Sequence, residues 1–254
     1  MVGSKSMMVA RTDLRIAMKV KWVKYSLIFM GALAPIIVIF MVGILYLVDT
    51  GEEEIPASLL SMMTYMGATL LALMSVIPAG LIAANALVGE RESRTLEPLL
   101  CTPLTDRELV WGKTLSSLIP CLVILFGGTV ASTIGINVLM IAFGKSFVMF
   151  PDLPGMFLIF VAGPVVVLAV VSVMILVSGR VSRVYEAYQT GSVASMILLI
   201  PMFAPFVMIE SPMLDSSFLW LISIVTFLIA VVMASVTWLL ALKRFNRDSM
   251  VSLV

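Results

Sequence analysis

Long apolar runs separated by short polar clusters set the plan of this chain. The runs cover residues 25–48, 57–88, 115–143, 156–178, 191–209 and 218–242. A helix needs roughly 20 apolar residues to cross a hydrocarbon core about 30 Å thick, so the pattern predicts six transmembrane helices and an all-α, polytopic membrane protein. The run at 57–88 exceeds that requirement at about 1.5 Å of rise per residue, which predicts tilt or projection beyond the lipid. Pro201 and Pro205, with Pro212 close behind, predict that the fifth helix breaks. The chain on to Ser217 is then expected to form a short, partly re-entrant segment whose freed backbone groups are buried by protein.

The polar clusters alternate in charge. Lys5, Arg11, Arg15, Lys19, Lys21 and Lys24 precede the first run; Arg91, Arg94, Arg107 and Lys113 follow the second; Arg180 and Arg183 follow the fourth; Lys243, Arg244 and Arg247 follow the sixth. Fifteen of the sixteen basic residues thus fall on one side of a six-span arrangement, and Lys145 alone falls on the other. The positive-inside rule places the basic side, with both termini, in the cytoplasm. Five or seven spans would put the last basic cluster on the wrong side. The opposite loops are acidic, with Asp49, Glu52, Glu53, Glu54, Asp152, Glu210 and Asp215.

Composition points the same way. The 254 residues are 61% hydrophobic and 12% charged, with mean hydropathy +1.14, against about 25% charged residues in soluble domains. One membrane domain, 1–254, accounts for the chain, and the lipid bilayer of the cell (cytoplasmic) membrane is its expected surroundings. A cleaved signal peptide would have an apolar core of about 7–15 residues and a small-residue cleavage site. Here the run reaches Val48 and meets an acidic turn, so a retained first helix is expected. Net charge is +1, and no nucleic-acid partner is expected. With no histidine and two cysteines, Cys101 and Cys121, neither a disulfide framework nor a metal or His-based catalytic site is expected.

The stretch from Gly89 to Lys113 is the most polar of the interior. Leu96, Leu99 and Leu100 sit among its charges at helical spacing, which suits a short docking element; a solvated loop that satisfies the positive-inside rule is the plainer reading. Thr105-Asp106-Arg107-Glu108 fits a capping box, so a new helix is expected to start there and feed the third span. Gly112-Lys113-Thr114 echoes the end of a phosphate-binding loop. That motif requires a glycine five residues before its second glycine, where Arg107 stands, and a preceding strand. The chain is therefore expected not to be an enzyme and to bind no cofactor, and any ATPase must be another polypeptide.

The wording of this stretch carries a resemblance. Gly89-Glu90-Arg91-Glu92, Thr95-Leu96-Glu97-Pro98-Leu99-Leu100, Thr102-Pro103-Leu104-Thr105 and Glu108-Leu109-Val110-Trp111-Gly112-Lys113, lying between spans two and three of six, resemble the membrane (permease) subunits of type-2 ATP-binding-cassette (ABC) transporters. Arg94 departs from the pattern, since many members carry glycine before Thr-Leu-Glu. The resemblance implies that 89–113 contains a cytoplasmic coupling helix seated in a groove of a separate ABC ATPase subunit. Glu90, Arg91, Glu92, Arg94, Thr95, Leu96 and Glu97 would then be the contact residues, charges giving register and leucines giving buried contact. It also implies ATP and Mg held in that partner, and a second permease subunit in a homodimer or heterodimer.

The basic N-terminal segment is similar to the elbow helix of that family. Val9, Ile16, Val20 and Val23 form one helical stripe and Leu14, Met18, Trp22 and Tyr25 another, suiting an N-terminal interfacial helix; an ordinary basic juxtamembrane tail fits equally well. Within the spans no ionisable residue falls near a midplane, which weighs against a proton- or ion-coupled transporter. Asn85, Thr129 and Asn137, with Ser132, Thr133, Ser172, Ser192 and Ser195, are candidates either for a pathway or for helix-packing hydrogen bonds. Gly127, Ala131 and Gly135 would allow close helix approach within the subunit or across a dimer. Pro35, Pro78, Pro120, Pro164 and Pro201 mark kinks or hinges.

The expected function is the permease of an ATP-driven exporter of a hydrophobic or amphipathic substrate. The rival is a membrane scaffold or channel subunit that uses no ATP. An intramembrane enzyme finds neither a carboxylate pair nor an activated nucleophile.

Overall fold

The computed structural model describes residues 2–48, 55–89, 105–179, 181, 183–207 and 216–244. Among them every regular element is helical: α1 (Val2–Ala17), α2 (Lys21–Val48), α3 (Ala57–Ala84), α4 (Asp106–Ala142), α5 (Leu153–Phe157), α6 (Gly163–Ser178), α7 (Val184–Val207) and α8 (Ser216–Arg244). A π-helical turn, Asn85–Gly89, continues α3, and another, Leu158–Ala162, joins α5 to α6. Six helices among the described residues are long and apolar enough to span a membrane, α5, its π turn and α6 counting as one.

The second and fourth spans form the centre. Most of their apolar length is buried, against about a third in the other four. Span two (α3) touches α2 and α4 on one flank and α6 and α7 on the other, and α8 packs along α6. Glycines set the closest approaches. A Cβ on Gly67 would stand 3.1–3.2 Å from Phe150, Val38 and Val42, and one on Gly163 would stand 2.8 Å from Leu125. The Gly127, Ala131, Gly135 row divides: Gly135 lies against Ile39 of α2, while Gly127 and Ala131 face outward.

Two sequence expectations change. The fifth helix does not break at its prolines, since α7 runs through Pro201 and Pro205 to Val207; residues 208–215 lie outside the described residues. Each proline removes one N–H, but in hydrocarbon an unwound turn would strand several more groups without water, so a continuous helix with two missing bonds is the cheaper structure. The N-terminal stripes also do not persist. The chain turns at 18–20, with Lys19 N–H donating to Ile16 O at 2.9 Å and Val20 N–H to Ala17 O at 3.0 Å. The face that α1 turns to α4 holds the buried Ser6 and Ala10 with the partly covered Val9 and Asp13, mostly small or polar residues that let it lie close against α4.

Candidate functional site

The contact residues expected from the sequence, Glu90, Arg91, Glu92, Arg94, Thr95, Leu96 and Glu97, lie outside the described residues, as does all of 90–104. The described structure shows what holds the two ends of that segment. At its exit, Thr105 and Glu108 form the capping box read from the sequence: Thr105 N–H donates to Glu108 Oε2 at 2.9 Å and Glu108 N–H to Thr105 Oγ1 at 3.3 Å. Two of the four N–H groups that a helix start leaves without partners are thereby satisfied, and α4 begins at Asp106, well before its apolar stretch.

At the entry, Asn85–Gly89 is wound as a π turn. Asn85 Nδ2 donates back to Leu81 O at 2.8 Å, and Val88 is fully buried with Ala84 against Ala187, Val181, Val184 and Tyr188. The start of α7 therefore supports the point at which the segment leaves span two. A helix end also leaves carbonyls without intrahelical donors, and one of these is met from another span: Lys113 Nζ of α4 donates to Ala86 O. The same ammonium stands 3.5 Å from Asp13 Oδ2 of α1.

Lys113 is fully buried and the Asp13 side chain is 11% exposed. Burial pushes the Asp13 carboxyl above its ordinary range, and the Lys113 charge pulls it partly back. At 3.5 Å the attraction is mainly Coulombic, beyond the range of a strong hydrogen bond. Removing one member of such a pair costs about 3–5 kcal/mol because the other charge is left uncompensated, whereas replacing both is often neutral. The neighbouring Gly112 makes the approach possible: a Cβ there would stand 2.7 Å from Val9 Cγ1 and 3.1 Å from Ser6 O. Trp111 meets Trp238 of α8 with ring centroids 4.5 Å apart. Helix α1 and the ends of spans two, three, five and six thus converge on one basal face, near the two residues, Gly89 and Thr105, that flank 90–104.

The sequence places Lys113 in the basic cluster, in the resemblance motif and in a failed phosphate-loop echo, but not in an ion pair. Its partners are remote in sequence, but one signal was there: Asp13 is the only acidic residue among the first 48.

The polar candidates inside the spans serve their own backbone. Thr129 Oγ1 donates to Leu125 O at 2.7 Å, and Ser132, Ser172, Ser192 and Ser195 make similar bonds. Asn137 and Thr133 do more, gripping the loop after α4 through Val148 and Phe150. Between α3, α6 and α7 lies a cavity of about 280 Å³ lined by Val76, Gly80, Val170, Met174, Met196 and Leu199, among others. No group of three or more His, Cys, Asp or Glu that could hold a metal ion occurs among the described residues.

Compared with curated proteins, the chain matches none. The family profile described as ABC-2 family transporter protein matches residues 7–211. That match runs from α1 through the fifth span and takes in the whole of 90–104, so this chain belongs to the ABC-2 family of transporter proteins, as a multi-pass permease subunit of the kind that associates with an ABC ATPase subunit.

Proposed function

We propose that this chain is the permease of an ATP-driven exporter in the cytoplasmic membrane, with its basal face in the cytoplasm and residues 90–104 docking into a separate ATPase subunit. ATP and Mg bind that subunit, and two permeases, identical or different, face each other across the pathway. A nucleotide bound elsewhere shifts the membrane domain only through contacts that differ between states. The observation that carries the reading is the convergence of α1 and four span ends on the two anchors of 90–104. A push there reaches most of the bundle. The basic bias of this side supports its cytoplasmic placement.

Export of a hydrophobic or amphipathic substrate suits the apolar cavity, where the hydroxyls of Ser192 and Ser195 are committed to their own helix. The test is copurification with a soluble ATPase carrying a complete phosphate-binding loop, followed by the R91E/R94E double variant. The variant is expected to fold, to lose the ATPase and to abolish the hydrolysis that the permease stimulates. Normal stimulation in that variant would contradict docking through 90–104, and the absence of any copurifying ATPase would favour a scaffold or channel that uses no ATP.

A further inference from the structure

Two lysines accept the same task at opposite ends of α4. Lys145 donates to Tyr46 O and Leu47 O at the end of α2, and Lys113 donates to Ala86 O at the end of the α3 helix. Each places a positive charge where helix carbonyls concentrate negative potential. Lys113 differs in being fully buried and in facing a third element, the Asp13 carboxylate of α1. Its position is also particular. Residues 90–104 join the described chain at Gly89 and at Thr105, so the bond to Ala86 ties the π turn before that segment to the helix that begins after it. The contact of Gly112 with Val9 and Ser6 closes α1 onto the same point.

We propose that Lys113 is a positioning residue for coupling, a buried cationic pin that makes α1, the Asn85–Gly89 turn and the base of α4 move as one body when the 90–104 segment is displaced. The proposal rests on the docking reading above. A cation is required for a physical reason: only a donor with several N–H bonds on a long stem reaches a carbonyl on one element and a carboxylate on another. Without it α1 keeps its packing on Gly112 but loses the charge contact, and the turn loses its bond to α4.

Stability and positioning separate in the double variant D13N/K113M. It removes both charges of the pair together, so its thermal midpoint is expected to fall less than that of K113M alone, which strands Asp13, while the link to Ala86 is gone. The measurement uses the permease in lipid nanodiscs with its copurifying ATPase, in a Cys101→Ser background. Spin-label pairs are placed at exposed positions of α1 and α4 (M8C with V123C) and of α1 and α7 (M8C with V193C).

In the parent, ATP is expected to change the α1–α7 distance and to leave the α1–α4 distance unchanged. In D13N/K113M, with the ATPase still bound, the α1–α4 distance is expected to become ATP-dependent by roughly 2 Å or more, the scale of a helix shift. An α1–α4 distance that ignores ATP in the double variant as in the parent overturns the pin and leaves docking intact. Failure of the parent to retain any ATPase refutes the docking reading, and the pin with it.

Discussion

Asn137 and Val148 exchange two hydrogen bonds, Asn137 Nδ2 to Val148 O and Val148 N–H to Asn137 Oδ1, each 3.0 Å long. The side-chain amide thereby acts as one rung of a ladder for a loop that has no strand to pair with. Thr133 donates to Phe150 O two residues on, at 2.9 Å, and Val148 and Phe150 are buried. The loop is sewn to the inner face of span three.

Replacing Asn137 by Ala leaves both Val148 groups buried without partners, each worth about 1–3 kcal/mol. N137A is expected to lose on the order of 3 kcal/mol of unfolding free energy, measured by reversible unfolding in mixed micelles. A loss below about 1 kcal/mol would show that water replaces the amide.

Two glycines of α4 predict opposite signs for the same substitution. A Cβ on Gly112 would stand 2.7 and 2.8 Å from Val9, so G112A is expected to push α1 away and cost about 1–3 kcal/mol. Gly127 has nothing within 4 Å of its Cβ position, so G127A is expected to be neutral or to gain up to about 1 kcal/mol from helix propensity. Thermal midpoints of the two variants check the pair, and equal shifts would contradict the packing described for α1.

Asp152 gives a pH dependence. It caps α5 by accepting from Gly155 N–H at 3.3 Å, and burial pushes its carboxyl from the ordinary 3.8 up to about 6. Because the folded value is the higher one, the native state takes up the proton first as pH falls. The stabilisation is fully present below about 3.8 and is lost as pH rises through about 6. D152N keeps the cap and removes the titration. Relative to D152N, the parent is expected to gain thermal stability on moving from pH 7.5 to pH 5; parallel curves would contradict the burial of this carboxylate.

Much of this architecture was legible because it is local. Apolar length gave the six spans, and Thr105 with Glu108 gave the start of α4, since a capping box is complete within four residues. The features that were not legible depend on tertiary contact. Lys113 meets Ala86 and Asp13 only after three helices have packed. The α1 contact face is made of Ser6, Val9 and Ala10 while Met8 and Ile16 stay exposed, because closeness to α4 and not hydrophobicity alone selects it. Pro201 and Pro205 misled for a related reason: a helix surrounded by lipid and protein has no solvent to reward a break. The residues that the resemblance implies touch the ATPase, Glu90, Arg91, Glu92, Arg94, Thr95, Leu96 and Glu97, lie outside the described residues.

Docking of 90–104 into an ATPase is tested most directly by a photo-crosslinking residue placed at Leu96. In membranes containing the whole transporter, irradiation is expected to join the permease to a soluble ATPase that carries a phosphate-binding loop, with the yield changing between nucleotide-free and ATP-bound states. A crosslinker at exposed Val123 in α4 is expected to give no such adduct. Labelling of lipid or of the permease alone from position 96, in an otherwise active complex, would contradict docking through 90–104.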